Sequence, residues 1–148
     1  VLIIDTGTVF DGYFCDFDRN FGFGQIADDT HHANAAVHQA LDAGFVAAHP
    51  GARMCEVWAA MWQVLEDHGA LGNSIGRMGH GLGMLLTEWP SIHPDDQNVL
   101  EPGAVITLEP GMIFAPGRQL VHEENIVITE NGAQYLTRRA PPEIPVIR

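Results

Sequence analysis

The first 23 residues read as two β-forming runs around a turn. Val1-Leu2-Ile3-Ile4 is apolar throughout, Tyr13–Phe23 is rich in β-formers, and Asp11-Gly12 between them is a tight hairpin signal. The period then changes. Asp28-Asp29-Thr30 supplies helix N-cap chemistry, and Ala33, Ala36, Val37, Ala40, Leu41 and Phe45 follow at helical spacing until His49-Pro50-Gly51 stops the run. A second helical stripe runs from Met54 to His68, with Val57, Trp58, Met61, Trp62 and Leu65 inward and Gly69 at its end. Gly76–Gly83 reads as a strand entered through a tight turn. Ala104–Phe114 and Leu120–Thr129 read as two longer strands around Ala115-Pro116-Gly117, with a short strand at Gln134–Thr137 and a Pro-rich strap over Ala140–Arg148. A hairpin, two helices and a series of antiparallel strands predict an α+β fold. No shift in composition divides residues 1–148 into two domains.

Composition narrows the chemistry. The apolar share of 46% over 148 residues is enough for one sizeable core. All seven basic residues are arginine, which excludes a P-loop lysine, a Schiff-base lysine and a polybasic membrane anchor. With a net charge of −12 the chain cannot build the basic patch that nucleic acid requires. No apolar run approaches the length of a membrane span. Cys15 and Cys55 are too few for a disulfide framework, so a reducing cytoplasm is the expected compartment. Eight histidines among nineteen carboxylates raise the prospect of metal binding.

Four carboxylates give that prospect a location. Asp5 and Asp16 stand eleven residues apart around the first turn, and Glu109 and Glu123 fourteen apart around the second. Residues equidistant from a hairpin turn lie side by side, with Cβ atoms about 5 Å apart. Each hairpin is therefore expected to place two carboxylates on one face. Leu2, Ile3 and Ile4, and Val105, Ile106 and Leu108, argue that the setting is buried, where like charges repel strongly unless a cation lies between them. The expectation is a bound metal, with two ions for four carboxylates. His80, in Gly79-His80-Gly81-Leu82-Gly83, supplies a nitrogen ligand between glycines that allow close backbone approach. A set of four oxygens and one nitrogen favours Mn²⁺, with Co²⁺ or Zn²⁺ as alternatives.

These residues resemble the M24 metallohydrolases of pita-bread fold, among them methionine aminopeptidase, aminopeptidase P, prolidase and creatinase. The matching segments are Asp5-Thr6-Gly7, Gly12-Tyr13 through Asp16-Phe17-Asp18-Arg19-Asn20-Phe21, and Gly79–Gly83. Leu100-Glu101-Pro102-Gly103, Leu108-Glu109-Pro110-Gly111 and Val121-His122-Glu123-Glu124-Asn125-Ile126-Val127-Ile128-Thr129 complete the match, which covers nearly the whole chain. The resemblance implies a curved antiparallel sheet with helices on its outer face. It assigns Asp5 and Asp16 to one metal, His80 and Glu109 to the region of the other, and bridging roles to Asp16 and Glu123. Glu109 would be the general base for the attacking water, with His80 beside it in the catalytic centre. Glu124 competes with Glu123, and strand alternation favours Glu123. A homodimer is also implied.

Two departures from the family pattern bear on the substrate. Prolidases and aminopeptidase P carry a second histidine seven residues after the ligand histidine; here that position is Thr87, in Thr87-Glu88-Trp89-Pro90. The usual threonine two residues after the second aspartate is Asp18, which is either a partner to the ligands or a salt-bridge acceptor for Arg19. Thr87, Trp89 and Asp18 are the candidate substrate-side residues. The implied function is hydrolysis of an Xaa-Pro amide bond in a small peptide. The alternatives are a pita-bread enzyme acting on a small zwitterionic metabolite, as in ectoine hydrolase, creatinase or a dimethylsulfoniopropionate lyase, or an inactive module used for binding. The pita-bread fold has two related halves, and this chain shows helices only for the second. The expectation is therefore a C-terminal portion of the catalytic domain. Cys15 and the Trp58-Met61-Trp62 stripe read as structural. His122 should point away from the metals, and His31, His32, His38, His49, His68 and His93 read as surface groups.

Overall fold

The computed structural model describes residues 1–72 and 76–147. The chain opens with β1 (Leu2–Phe10) and β2 (Tyr13–Phe23), then α1 (Asp28–Ala47) and α2 (Met54–Asp67). Eight short strands follow: β3 (His80–Gly81), β4 (Glu88–Ser91), β5 (Val105–Leu108), β6 (Gly111–Ala115), β7 (Arg118–Val121), β8 (Glu124–Thr129), β9 (Gly132–Tyr135) and β10 (Val146–Ile147). They form three sheets, ordered β1-β2-β10, β4-β3-β5-β8-β9 and β6-β7, antiparallel except where β10 runs beside β2. This is the α+β pita-bread arrangement that the motifs imply.

Both helices form where the period predicts. Ala33, Ala36, Val37, Ala40 and Leu41 of α1 meet Met54, Val57, Met61 and Leu65 of α2, and the pair closes over Ile106, Leu108, Met112, Leu120, Ile126 and Ile128 of the strands. Small residues on α1 let it approach the sheet closely. The cap of α1 is Ala27 rather than the Asp28-Asp29-Thr30 cluster, which forms the first turn; Asp29 is held there by a bidentate contact from Arg118. Carboxylates in a first helical turn favour the positive end of the helix dipole. No helix among the described residues is long and apolar enough to cross a membrane.

Asp11 and Gly12 both take positive φ, 50° and 86°, as a two-residue hairpin turn requires. That turn fixes the register as Phe10 opposite Tyr13, so Asp5 faces Asp18 and Asp16 faces Gly7. The expected pairing of Asp5 with Asp16 is therefore corrected. Asp16 sits one diagonal step from Asp5, and Asp18 takes the facing position. The expectation of a buried first strand also fails, since Leu2 and Ile4 are 47% and 40% exposed and only Ile3 is half-buried against the core. Burial in this hairpin belongs to β2, where Asp16, Asp18 and Asn20 alternate inward and Cys15, half-buried, takes the other face.

The strands expected over Ala104–Phe114 and Leu120–Thr129 are each broken in two. The β5–β8 ladder ends at Leu108 opposite Glu124, and the β6–β7 ladder begins at Gly111 opposite Val121. Pro110 has no N–H to continue the ladder. The Glu109 N–H instead donates to the Met78 carbonyl at 2.9 Å. Glu109 and Glu123 therefore keep facing positions at the junction of two ladders. β4 has no counterpart in the sequence reading; it is an edge strand, the place where a sheet tolerates Pro90. The tail forms the expected strap, with Asn34 donating to the Pro142 carbonyl at 2.7 Å and β10 beside β2; Arg148 lies outside the described residues.

Candidate metal centre

His80 enters the site through a backbone that only glycine allows. Gly79 has φ of +149°, and a Cβ there would stand 2.2 Å from the Thr107 carbonyl oxygen. A Cβ on Gly81 would stand 2.7 Å from the Trp89 carbonyl oxygen. The His80 N–H donates to Thr107 Oγ1 at 3.1 Å. Its Nδ1 lies 2.8 Å from the Gly81 carbonyl and donates to it, which leaves the Nε2 lone pair free to act as a ligand. Nε2 lies 3.7 Å from Glu109 Oε1 and 3.9 Å from Asp16 Oδ2.

Asp16 is fixed from the far end of the chain. Its N–H donates to Asn125 Oδ1 at 3.0 Å, and Asn125 Nδ2 donates to its carbonyl, so the carboxamide of β8 acts as a piece of strand beside β2. Asn20 repeats the device, donating to the Val121 carbonyl at 2.8 Å. Arg19 completes the clamp. It donates to the carbonyls of Asp18 (2.7 Å), Glu123 (3.0 Å) and Arg138 (2.8 Å), and pairs with the Glu124 carboxylate at 3.1 Å.

Glu123 and Glu124 point to opposite sides. Glu123 joins the carboxylate cluster. Glu124 faces Arg19, the Thr137 hydroxyl, the Ala140 N–H and His122. Burial opposes its charge, but hydrogen bonds from His122, Thr137 and Ala140, together with Arg19, outweigh burial and hold Glu124 below the usual carboxylate range. His122 turns away from the cluster as expected. It stacks on His38 at 4.3 Å between ring centroids, so His38 is buried and not a surface group. Burial pushes the His38 imidazole down to about 4.

Two groups of three ligand atoms emerge, each within 4.8 Å of one another: Asp16, His80 and Glu123, and Asp5, Asp18 and Glu123. Glu109 borders the first through its 3.7 Å approach to His80. The structure thus brings together all five expected ligand residues and adds Asp18. The Asp18 carboxylate does not pair with Arg19, which uses only its backbone carbonyl. Arg77, unmarked in the sequence reading, lies 3.3 Å from Glu109 Oε1. Thr87 is exposed in the loop before β4. Trp89, also exposed, lines a cavity of about 600 Å³ with Tyr13, Phe14 and Glu88, and a second of about 400 Å³ with Arg77, Ser91 and His93. Arg77, which pairs with Glu109, is also in the wall of the second cavity.

The electrostatics favour a bound cation. Burial, then Glu109 and three neighbouring aspartates, pushes Glu123 up to about 10. Burial, then Asp5 and Asp16, takes Asp18 up to about 7. Glu109 rises to about 7 mainly by burial, against the pull of Arg77, and Asp16 is raised for similar reasons. Burial lowers His80. Asp18 Oδ1 and Glu123 Oε1 are buried with no hydrogen-bond partner. Native proteins rarely leave such atoms unpaired, and divalent ions would satisfy oxygen and charge together. The donor set fits two ions.

The chain is similar to several known peptidases in sequence and in fold. The Xaa-Pro dipeptidase of Pyrococcus furiosus is 31% identical over 138 residues, covering 93% of this chain and 40% of the relative. The crystal structure of dipeptidase PepE from Mycobacterium ulcerans superposes with a TM-score of 0.89 at 33% identity, covering 97% of this chain and 39% of that one. A dipeptidase from Pyrococcus horikoshii OT3 gives 0.91 at 30% identity, covering 98% and 40%. The chain therefore spans about two-fifths of the length of these relatives. A model of metallopeptidase family M24 matches residues 1–130. The chain belongs to metallopeptidase family M24.

Proposed function

We propose that this chain carries the metal-binding part of a dinuclear hydrolase that cleaves the amide bond of a small peptide, with an Xaa-Pro dipeptide as the leading substrate. The observation that carries the reading is the sharing of Glu123 between two clusters of ligand atoms, beside a buried Glu109. The names of the relatives, Xaa-Pro dipeptidase and dipeptidase, support the substrate class. Asp5, Asp16, His80, Glu109 and Glu123 would hold the ions, with Mn²⁺ favoured by the oxygen-rich set and Co²⁺ or Zn²⁺ as alternatives. When bound, two such ions polarise a carbonyl and lower the pKa of water.

The protein groups have their own tasks. Glu109, buried beside His80, would accept a proton from the attacking water and return it to the departing amine. Arg77 holds that carboxylate in place from 3.3 Å. Asn125 and Arg19 keep β2 against β8, so Asp16 and Glu123 stay aligned. Trp89 offers an apolar wall to the substrate side chain. The expected setting is a cytoplasmic homodimer.

Thr87 favours a second reading. An exposed hydroxyl stands where the peptidases carry an imidazole, which suits a small zwitterionic metabolite whose turnover needs no second histidine. Metal analysis of the purified protein should find close to two ions per chain under both readings, and none would sink both. Assays on Ala-Pro and on ectoine then separate them. Turnover of ectoine with none of the dipeptide would overturn the leading substrate.

A further inference from the structure

We infer that Asp18 is a direct metal ligand, giving one of the two cation positions an all-carboxylate donor set of Asp5, Asp18 and Glu123. This rests on the dinuclear reading above. The two-residue turn sets Asp5 opposite Asp18 in the ladder, where facing Cβ atoms lie about 5 Å apart. An oxygen from each, with one from Glu123, fits within a 4.8 Å span. Asp18 is 6% exposed and its Oδ1 has no hydrogen-bond partner; Glu123 is 2% exposed and its Oε1 has none. Two buried carboxylates that each carry an unpartnered oxygen thus lie in one group, Asp18 from β2 and Glu123 from the break before β8.

Among the described residues no cationic side chain pairs with either oxygen. Arg19, the nearest in sequence, spends its guanidinium on three backbone carbonyls and Glu124. Arg77 faces Glu109. His80 is grouped with Asp16 and Glu123 at the other position. The two positions thus differ in chemistry. The one at Asp5 and Asp18 offers only hard oxygen donors, which suit Mn²⁺ or Mg²⁺, while the imidazole of His80 makes the other the better seat for Zn²⁺ or Co²⁺. A threonine at position 18 would offer one neutral hydroxyl in place of a carboxylate and so lower the negative charge available to the ion there.

Calorimetric titration with Mn²⁺, read with metal content by mass spectrometry and the Mn²⁺ paramagnetic resonance spectrum, tests the assignment on the wild-type chain, Asp18→Asn, Asp18→Thr and His80→Ala. The wild type should bind two Mn²⁺. Both Asp18 variants should keep one position near wild-type affinity and weaken the other by more than the roughly 10–100-fold that loss of an outer partner costs. They should also change the resonance spectrum of the Mn²⁺ bound there; a smaller loss with an unchanged spectrum would overturn direct ligation. His80→Ala should lose the nitrogen-bearing position and keep the all-carboxylate one near its wild-type Mn²⁺ affinity. Circular dichroism in chelator reports whether each variant folds, and Asp18→Asn preserves the side-chain shape. Two unchanged Mn²⁺ affinities in both folded Asp18 variants would overturn the role of Asp18 and leave the dinuclear reading intact. No binding by the wild type would overturn both.

Discussion

Glu123 and Glu124 are chemically identical neighbours with opposite environments. Glu124 is surrounded by donors and sits below its usual range; Glu123 is surrounded by carboxylates and sits far above it. Substitution should separate them. Glu124→Ala leaves Arg19 without its carboxylate and should cost about 3 kcal/mol in chemical denaturation, with metal stoichiometry unchanged. Glu123→Gln should leave the metal-free protein as stable or more so at pH 8, while metal binding falls sharply in a titration. Asn125→Ala strips the Asp16 backbone of two buried partners. A loss of about 2 kcal/mol is expected, together with weaker metal binding.

At the scale of elements, the site is made by interruptions. His80 lies on a strand of two residues, and Glu109 and Glu123 lie where two ladders part. Gly79→Ala, which drives a Cβ against Thr107, should destabilise the fold by at least about 2 kcal/mol and displace His80, read as weakened binding at the nitrogen-bearing position. These interruptions also explain what the sequence disclosed. Both helices were legible because small and apolar residues recur at a helical period over three or more turns. The five ligand residues were legible because their order and spacing survive any local irregularity. Pro110 was visible, but its effect depends on the bond from the Glu109 N–H to Met78, a partner 31 positions before Glu109 that no local pattern names. The facing of Asp5 with Asp18 follows from a two-residue turn at Asp11-Gly12, whereas the spacing of the carboxylates around the turn, taken without its exact centre, points to Asp16. β4 was hidden by Pro90, and Arg77 stands alone in a Gly-rich stretch without periodic support.

For the whole molecule, the carboxylate cluster ties stability to pH and to cations together. Asp18, Glu109 and Glu123 hold protons more tightly folded than unfolded, since their folded values lie near 7, 7 and 10 against ordinary values near 4. Metal-free stability should therefore fall as pH rises from about 4 toward 10, and thermal melts in chelator should show a higher midpoint at pH 5.5 than at pH 8.5. Saturating Mn²⁺ should reverse that slope, because the ions replace the protons and bind better as protons leave. Loading at pH 7 should release about one to two protons per chain, measurable by calorimetry in buffers of different ionisation enthalpy.

Asp16 and Asn125 are 109 positions apart, and Arg19 reaches Glu124 and Arg138 across 105 and 119. Contacts of such sequence separation are slow to form, because most of the chain must be ordered before its two ends can meet. The centre is therefore expected to form late in folding, with little of it present in the transition state. Mn²⁺ added during refolding should leave the folding rate nearly unchanged and act on the unfolding limb alone, making the cation a brake on the exit from the native state rather than a nucleus for reaching it.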